Sequence, residues 1–552
     1  MKKPHRITMF ALTLALPLLS GCNIYDLFAP FNSFMDGLSS NVGPGVPDHS
    51  LEEVHINDFD GYYQPDGVNK SISYQALGQY NEDPYMPSTG DLNILVVPIE
   101  FSDFPFSQST LNDIKTLTSG TAKDTNYWES LSSYYQKSSY GSLNLKFTYM
   151  DKVNVGTVAS FTRGLTEDDE SLQAGVAMEK AVSAYKRENG NASTQKFDSD
   201  KDGYIDAVIM IYSAPNYTNS FTTKNHKNLF WAYCYADYYS EEKPNVNSPV
   251  GWRYFWASYD FFYEATGTPL VHSGVDAHTL IHETGHLMGS DDLYNVSDLK
   301  NDIAEPSGSL LMMAWNVGDH DPFTKLSFGW TKPYVVTGDC TIQIRPSQSS
   351  GDCILLADNW NGTSFDEYVL IDFYTPTGLN EQDASVVYPE YSGKTRETAY
   401  RSSGIRVFHV DSRLCYGAGF DNDGAFMASG YLSDSDIANF SSFHKTVRYE
   451  GKTYLASVAP AISNSVKYDA TIAQNKGFEL LQIVQRGKTN TTRSGSVSTS
   501  ADLFQKGDTF SAFNYSAFFP NNGKLNNGNA LPYSFTVDDI GSDGAILSFK
   551  KL

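Results

Sequence analysis

The chain has 552 residues, enough for roughly two to four domains with sizeable cores. Sixty-four acidic residues against forty basic ones give a formal charge of −24, which repels phosphate backbones and argues against nucleic-acid binding. Thirty-six Tyr, 33 Phe and 7 Trp favour β-rich structure over a helical bundle, and five cysteines without Cys-x-x-Cys spacing exclude a disulfide-built scaffold, a zinc finger or a redox motif.

At the N-terminus, Lys2, Lys3 and Arg6 precede an apolar run, Ile7 to Leu19, that ends in Leu19-Ser20-Gly21-Cys22. The run is shorter than the ~20 residues of a membrane span and reads as an export signal over residues 1–21. Leu-Ser-Gly-Cys resembles the bacterial lipobox, which implies cleavage before Cys22 and a lipid on its sulfur. The expected location is outside the cytoplasm, as a lipoprotein anchored at the bacterial cell surface. Residues 22–90 are rich in Gly, Pro, Asn, Asp and Tyr and lack periodicity; they are expected to form a lipid-anchored tether or a propeptide.

From Asn93 the character changes. Ile94 to Phe101 is a continuous apolar run, suited to a buried central strand. A helix is expected around Trp128 to Lys137, with Trp128, Leu131 and Tyr135 on one face and Gly141 ending it. Leu143 to Tyr149 alternates like a strand, and the acids of Thr166 to Glu170 precede a helix over 171–188, where negative charge suits an N-terminus. Asp198-Ser199-Asp200-Lys201-Asp202-Gly203-Tyr204-Ile205-Asp206 places carboxylates at positions 1, 3, 5 and 9 and Gly at 6, the first part of a calcium loop. Position 12 is Ile209, so this is not an EF-hand. Asp198, Asp200, Asp202 and Asp206 are candidate calcium ligands, with an acidic turn leading into a strand as the alternative.

The most informative stretch is Ile281-His282-Glu283-Thr284-Gly285-His286-Leu287-Met288-Gly289-Ser290-Asp291-Asp292-Leu293-Tyr294. Residues four apart share one helix face, so on a helix over Asp276 to Met288, His282 and His286 aim two imidazoles at one point, as zinc requires. Glu283 follows the first ligand and lies beside the metal, placed to take a proton from water. Gly289 can end and reverse the helix, returning Asp292 as a third ligand. Three protein ligands leave a position open, the mark of a catalytic rather than a structural site. His278 is about 12 Å from His286 along the helix axis and cannot share the ion, so it reads as a helix-face or supporting histidine; Asp291 is a similar decoy. About 25 residues later Leu311-Met312-Met313-Ala314 resembles the methionine turn that lies beneath the zinc ligands in the metzincin group, with Met313 the choice; taken alone, the Met pair reads as core filler. His320 is a rival third ligand, and Tyr294 a candidate oxyanion stabiliser.

Beyond Pro333 the segments 341–345, 353–357, 367–374, 404–410, 478–485 and 543–549 are short and β-rich, and predict an antiparallel sandwich or two sheets; 487–500 reads as a loop. Cys340 and Cys353 bracket an expected hairpin and either pair or sit as small buried thiols.

These pieces together resemble the immune-inhibitor-A-like family of zinc metallopeptidases, a metzincin-type group of secreted bacterial proteases. The resemblance covers roughly residues 90–550 and rests on the Ile94–Asp103 strand, Tyr134-Tyr135…Ser139-Tyr140-Gly141, the Asp198–Asp206 loop, His282 to Tyr294, Met313 and Leu326–Trp330. Tyr368–Asp372, Pro376–Asn380 and Gly404–Asp411 look like the strands and turn that follow that family's catalytic domain. It implies an α+β fold: a metzincin-like catalytic domain over 91–335, then a β-sandwich-like region over 336–552. It also implies zinc on His282, His286 and Asp292, with Glu283 as general base and acid. The expectation is a monomeric zinc endopeptidase acting on extracellular proteins or peptides. The rival from another class is a surface adhesin or glycan-binding lipoprotein on a retired protease fold, against which the intact Glu283 counts; a calcium-stabilised scaffold rests on Asp198–Asp206 alone.

Overall fold

The structure is a computed structural model. It describes residues 56–57, 62–63, 72–80, 83–120, 128–238, 240–266, 274–295, 303–387, 398–420, 426–440, 445–464 and 477–552. The expected signal and Cys22 lie outside the described residues, among which no helix is long and apolar enough to cross a membrane.

The apolar run near Asn93 forms β1 (Gly90–Glu100), buried from Ile94 onward because helices cover both of its faces. It pairs in parallel with β2 (Leu143–Tyr149) on one side and β3 (Val208–Tyr212) on the other. A further edge is added by β4 (Tyr233–Ala236), antiparallel to β5 (Arg253–Ser258), which pairs in parallel with β3. The strand order is β2-β1-β3-β5-β4. One face carries α1 (Leu131–Ser138), whose start is fixed by a capping box between Ser130 and Ser133. The same face carries the helix that holds the two histidines, α3 (His278–Leu287); on the other lies α2 (Glu170–Asn189).

The C-terminal region is β-rich, as expected, but its layers differ from a free-standing sandwich. Strands β6 (Pro333–Val336), β7 (Cys340–Ile344), β8 (Cys353–Leu356), β9 (Glu367–Tyr374) and β10 (Gly404–Asp411) divide between two sheets. A six-stranded sheet runs Leu481–Ile483, β10, β9, β8, β6, Tyr62–Tyr63; a five-stranded one runs Ile56–Asn57, β7, Ala545–Lys551, Tyr533–Ile540, Thr509–Ser511. Ile354, Val369, Ile371 and Val407 pack one face of the first sheet against Ile342, Val537, Leu547 and Phe549 of the second. The opposite face, through Leu355, Leu370, Phe408 and Val410, packs on Leu293, Leu311, Met313 and Phe323 of the first region. Every residue of β9 and β10 is therefore buried, where a one-sided antiparallel strand would alternate. A separate four-stranded sheet, over Leu414–Phe420, Phe426–Tyr431, Lys445–Tyr449 and Lys452–Pro460, has no counterpart in the expected strands.

Three expectations need correction. The boundary at 335/336 cuts β6, which pairs in parallel with β8 and antiparallel with Tyr62–Tyr63. Cys340 and Cys353 do not bracket a hairpin: β7 and β8 belong to different sheets, and both are buried cysteines outside any disulfide, the other alternative the sequence left open. Residues 72–80 and 83–90 are not a tether. Tyr74 is buried with its ring edge-on to Phe365, Leu77 and Met86 are buried, and Arg253 holds both the Asp83 carboxylate (2.7 Å) and the Pro84 carbonyl (2.8 Å). Removing a propeptide up to residue 90 would strip part of the core.

Candidate metal centre and active site

Every residue of α3 is buried, so its polar side chains need partners inside the protein. His282 Nδ1 lies 2.8 Å from the Met312 carbonyl and His286 Nδ1 2.6 Å from the Ser290 carbonyl. A carbonyl only accepts, so each Nδ1 carries a proton and each Nε2 faces the other way. The two Nε2 atoms are 3.1 Å apart, and Asp292 Oδ1 lies 3.2 and 3.3 Å from them. Among the described residues no fourth His, Cys, Asp or Glu joins this group.

Three donors this close need positive charge between them. Burial works against a charged His286, but the Asp292 carboxylate outweighs it and the imidazole is held above its ordinary value. Burial also opposes the Asp292 charge; the two imidazoles overcome it and hold the carboxyl well below the usual range. A tetrahedral ion with bonds of ~2.0–2.1 Å spaces its ligand atoms about 3.3 Å apart, the size of this triangle. The residues fit such an ion.

The turn that returns Asp292 depends on two glycines. Gly289 has φ +100° and closes the helix with its N–H on the His286 carbonyl (2.9 Å); a Cβ there would meet Tyr74 Cβ at 2.5 Å. The Met86 N–H donates to the Leu287 carbonyl (2.8 Å), so the segment before β1 caps the end of α3. Gly285 lies over Met313, whose sulfur would be 2.5 Å from an added Cβ. Met312 and Met313 thus divide the work: the first gives a carbonyl to His282, the second lies beneath the helix and receives the Leu293 N–H on its own carbonyl (2.7 Å).

Glu283 is 4 % exposed and its Oε2 has no hydrogen-bond partner among the described residues. Burial pushes its carboxyl up to about 8, against the pull of His282. His278 stands apart: its Nδ1 faces the Asp276 carboxylate, its Nε2 lies 3.1 Å from Asp383 Oδ2, and its ring stacks on Trp128 at 3.9 Å. Asp383 also accepts the Gly318 N–H (2.7 Å), so a C-terminal residue ties α3 to the turn after Met313. The rival ligand His320 is a buried core histidine, ringed by Tyr134, Tyr135, Phe328 and Trp330, and burial holds its pKa well below the ordinary value. Asp291 is outside the ligand group, and Tyr294 stacks loosely on His282 with ring centroids 6.5 Å apart.

A second group joins Asp198, Asp200 and Asp206, with one oxygen of each within 4.8 Å of the others. Asp202 is not in that group; its Oδ1 accepts the Tyr204 N–H (2.8 Å). Burial pushes Asp198 up to about 6 and Asp202 to about 7, with neighbouring carboxylates adding to both, and burial also holds Asp206 well above its ordinary value. A small pocket opens beside this loop, lined by Asp200, Asp202, Asp206, Tyr204, Trp252 and Arg253. What singles out the triangle is its donor chemistry.

Asp383, and Cys234, whose thiol donates to the Glu283 backbone carbonyl (2.8 Å), carry no sequence signal, because the fold brings each in from outside the motif. A scan against protein-family models finds no match to this chain, and a search of curated proteins returns none either.

Proposed function

We propose that the protein is a zinc-dependent endopeptidase of metzincin type, akin to the immune-inhibitor-A-like peptidases, cleaving extracellular proteins or peptides. The observation that carries this reading is the triangle of His282 Nε2, His286 Nε2 and Asp292 Oδ1 beside a buried glutamate with a free oxygen. Zinc held there would act as a Lewis acid, lowering the pKa of water and polarising the scissile carbonyl. The chain supplies the rest. The Met312 and Ser290 carbonyls fix both imidazole rings, so the ligands are oriented before an ion arrives. Glu283 takes the proton of the attacking water at Oε2 and returns it to the leaving amine. Met313 props the helix at Gly285.

The same reading places calcium at the Asp198–Asp206 loop, a lipid on Cys22, and a monomer outside the cytoplasm without nucleic-acid partners. The test is cleavage of unfolded casein by the protein with and without a zinc chelator, beside Glu283→Ala. Chelator-sensitive cleavage that vanishes in a zinc-loaded Glu283→Ala protein supports the proposal. An active Glu283→Ala protein sinks the assignment.

A further inference from the structure

One carboxylate from the C-terminal region grips both segments that set the first ligand. Asp383 lies on a short helix, Glu381–Ser385, in the stretch that follows β9, and is fully buried. Its Oδ2 lies 3.1 Å from Nε2 of His278, the first residue of α3, and accepts the Gly318 N–H at 2.7 Å. Both partners are held in place by other contacts. The His278 ring is buried, stacks on Trp128 with centroids 3.9 Å apart, and turns its Nδ1 to Asp276. The Tyr134 hydroxyl donates to the Gly318 carbonyl (3.2 Å), and the Asn380 side chain accepts the Asp319 N–H (2.9 Å).

His282 is one helical turn beyond His278. Met312, whose carbonyl accepts from His282 Nδ1 at 2.8 Å, stands on the segment that ends at Gly318. An acceptor shared by His278 and Gly318 therefore holds α3 and the methionine turn at one separation. We infer that Asp383 is a positioning residue for His282: it sets that separation so that the Met312 carbonyl meets Nδ1 and Nε2 points into the ligand triangle. This rests on the zinc reading of the triangle. Truncating Asp383 takes an acceptor from two buried donors at once, and each segment is then free to settle elsewhere. Groups that orient a metal ligand from behind are worth about 10–100-fold in metal affinity.

The test measures three quantities on the full chain: zinc affinity by competition with a chelator, the visible spectrum with cobalt in place of zinc, and the thermal midpoint. The cobalt bands report ligand geometry, which a loss of general stability does not move. Asp352→Ala serves as the stability control, because it breaks another fully buried ion pair, with Arg345 (2.9 and 3.0 Å), outside the ligand group. The expected result for Asp383→Ala is zinc binding weaker by about 10–100-fold and an altered cobalt spectrum. Asp383→Asn, which keeps one accepting oxygen, regains part of the loss. Asp352→Ala lowers the midpoint but holds zinc affinity within about twofold of wild type, with the spectrum unchanged. His278→Phe keeps a ring against Trp128 and removes the donor, so it shows the same loss of affinity and decides the matter if Asp383→Ala does not fold. Wild-type affinity and spectrum in Asp383→Ala and His278→Phe overturn the inference. So does a loss that Asp352→Ala matches at the same midpoint. A wild type that binds zinc but cleaves nothing refutes the peptidase reading alone, and the affinity comparison still decides the role of Asp383. A wild type that binds no zinc overturns both.

Discussion

The two groups of ion-binding character in this protein are held by opposite means. In the first, His282 and His286 sit one helical turn apart and each ring is locked by a backbone carbonyl, so two neutral nitrogens and one carboxylate converge. In the second, three carboxylates converge on one another, and what holds them is backbone N–H of their own loop: Gly203 N–H on Asp198, Ser199 N–H on Asp206. Mixed nitrogen and oxygen donors in a fixed tetrahedral frame suit zinc; all-oxygen donors on a turn suit a hard cation such as calcium. On the proposed reading the first group would leave a position open beside Glu283. In the second, carboxylates repel one another, and a bound cation would relieve that repulsion.

The two are also joined. Gln75 Nε2 donates to Asp200 (2.5 Å), and eleven residues on Met86 caps the carbonyl of Leu287 at the end of α3. Residues 72–86 therefore touch both groups.

The largest expected effect breaks the first group only. His286→Ala should lose zinc outright, measured as metal content after dialysis, while calcium still raises its thermal midpoint as in wild type. If the calcium response vanishes as well, the two groups are not separate sites. Next in size is the contrast between chelators. Both chelators should lower the thermal midpoint, because any ion present at 100 times its Kd contributes about 2.7 kcal/mol to the folded state. Only the zinc chelator should abolish cleavage at a temperature where the protein stays folded. Equal loss of cleavage from a calcium-selective chelator at that temperature would erase the distinction drawn here. Smaller again is a comparison within the loop: Asp206→Asn should remove most of the calcium-induced shift, and Asp202→Asn, whose side chain stands outside the group, should keep most of it.

The sequence made the first group legible because helical spacing is local: His282, Glu283 and His286 follow from a 3.6-residue turn, and Gly289 signals the reversal that brings Asp292 back. Helix α1 was legible from one apolar face, and β2 from its alternation, to the residue. What stayed hidden is non-local. The burial of β9 and β10 on both faces comes from the metal-site segments lying on the six-stranded sheet, and no pattern within 367–374 or 404–410 says what covers the second face. Asp383 and Cys234 are distant in sequence from α3 and meet it through the fold. Tyr74 and Met86 lie in a stretch whose Gly, Pro and Asn content reads as irregular; Tyr74–Tyr80 is nonetheless helical, and composition is silent about the burial of both side chains.

The smallest effect is a pH slope to which the second group contributes and which calcium should change. Burial raises Asp198 to about 6 and Asp202 to about 7, above their value in an unfolded chain of about 3.9. A carboxyl whose pKa rises on folding favours the folded state while it is protonated, so the contribution is complete below the unfolded value and is lost as pH climbs through the folded one. Without calcium the thermal midpoint should therefore fall between pH 5 and 8. Calcium favours the ionised carboxylates, so its addition should flatten or reverse that slope, with the largest gain at pH 8. Asp202→Asn should remove the upper part of the slope and leave the part near pH 6. A midpoint that rises across this window without calcium would mean that these carboxyls are not raised, and the contrast between a prepared zinc triangle and a repulsive acidic loop would lose its second half.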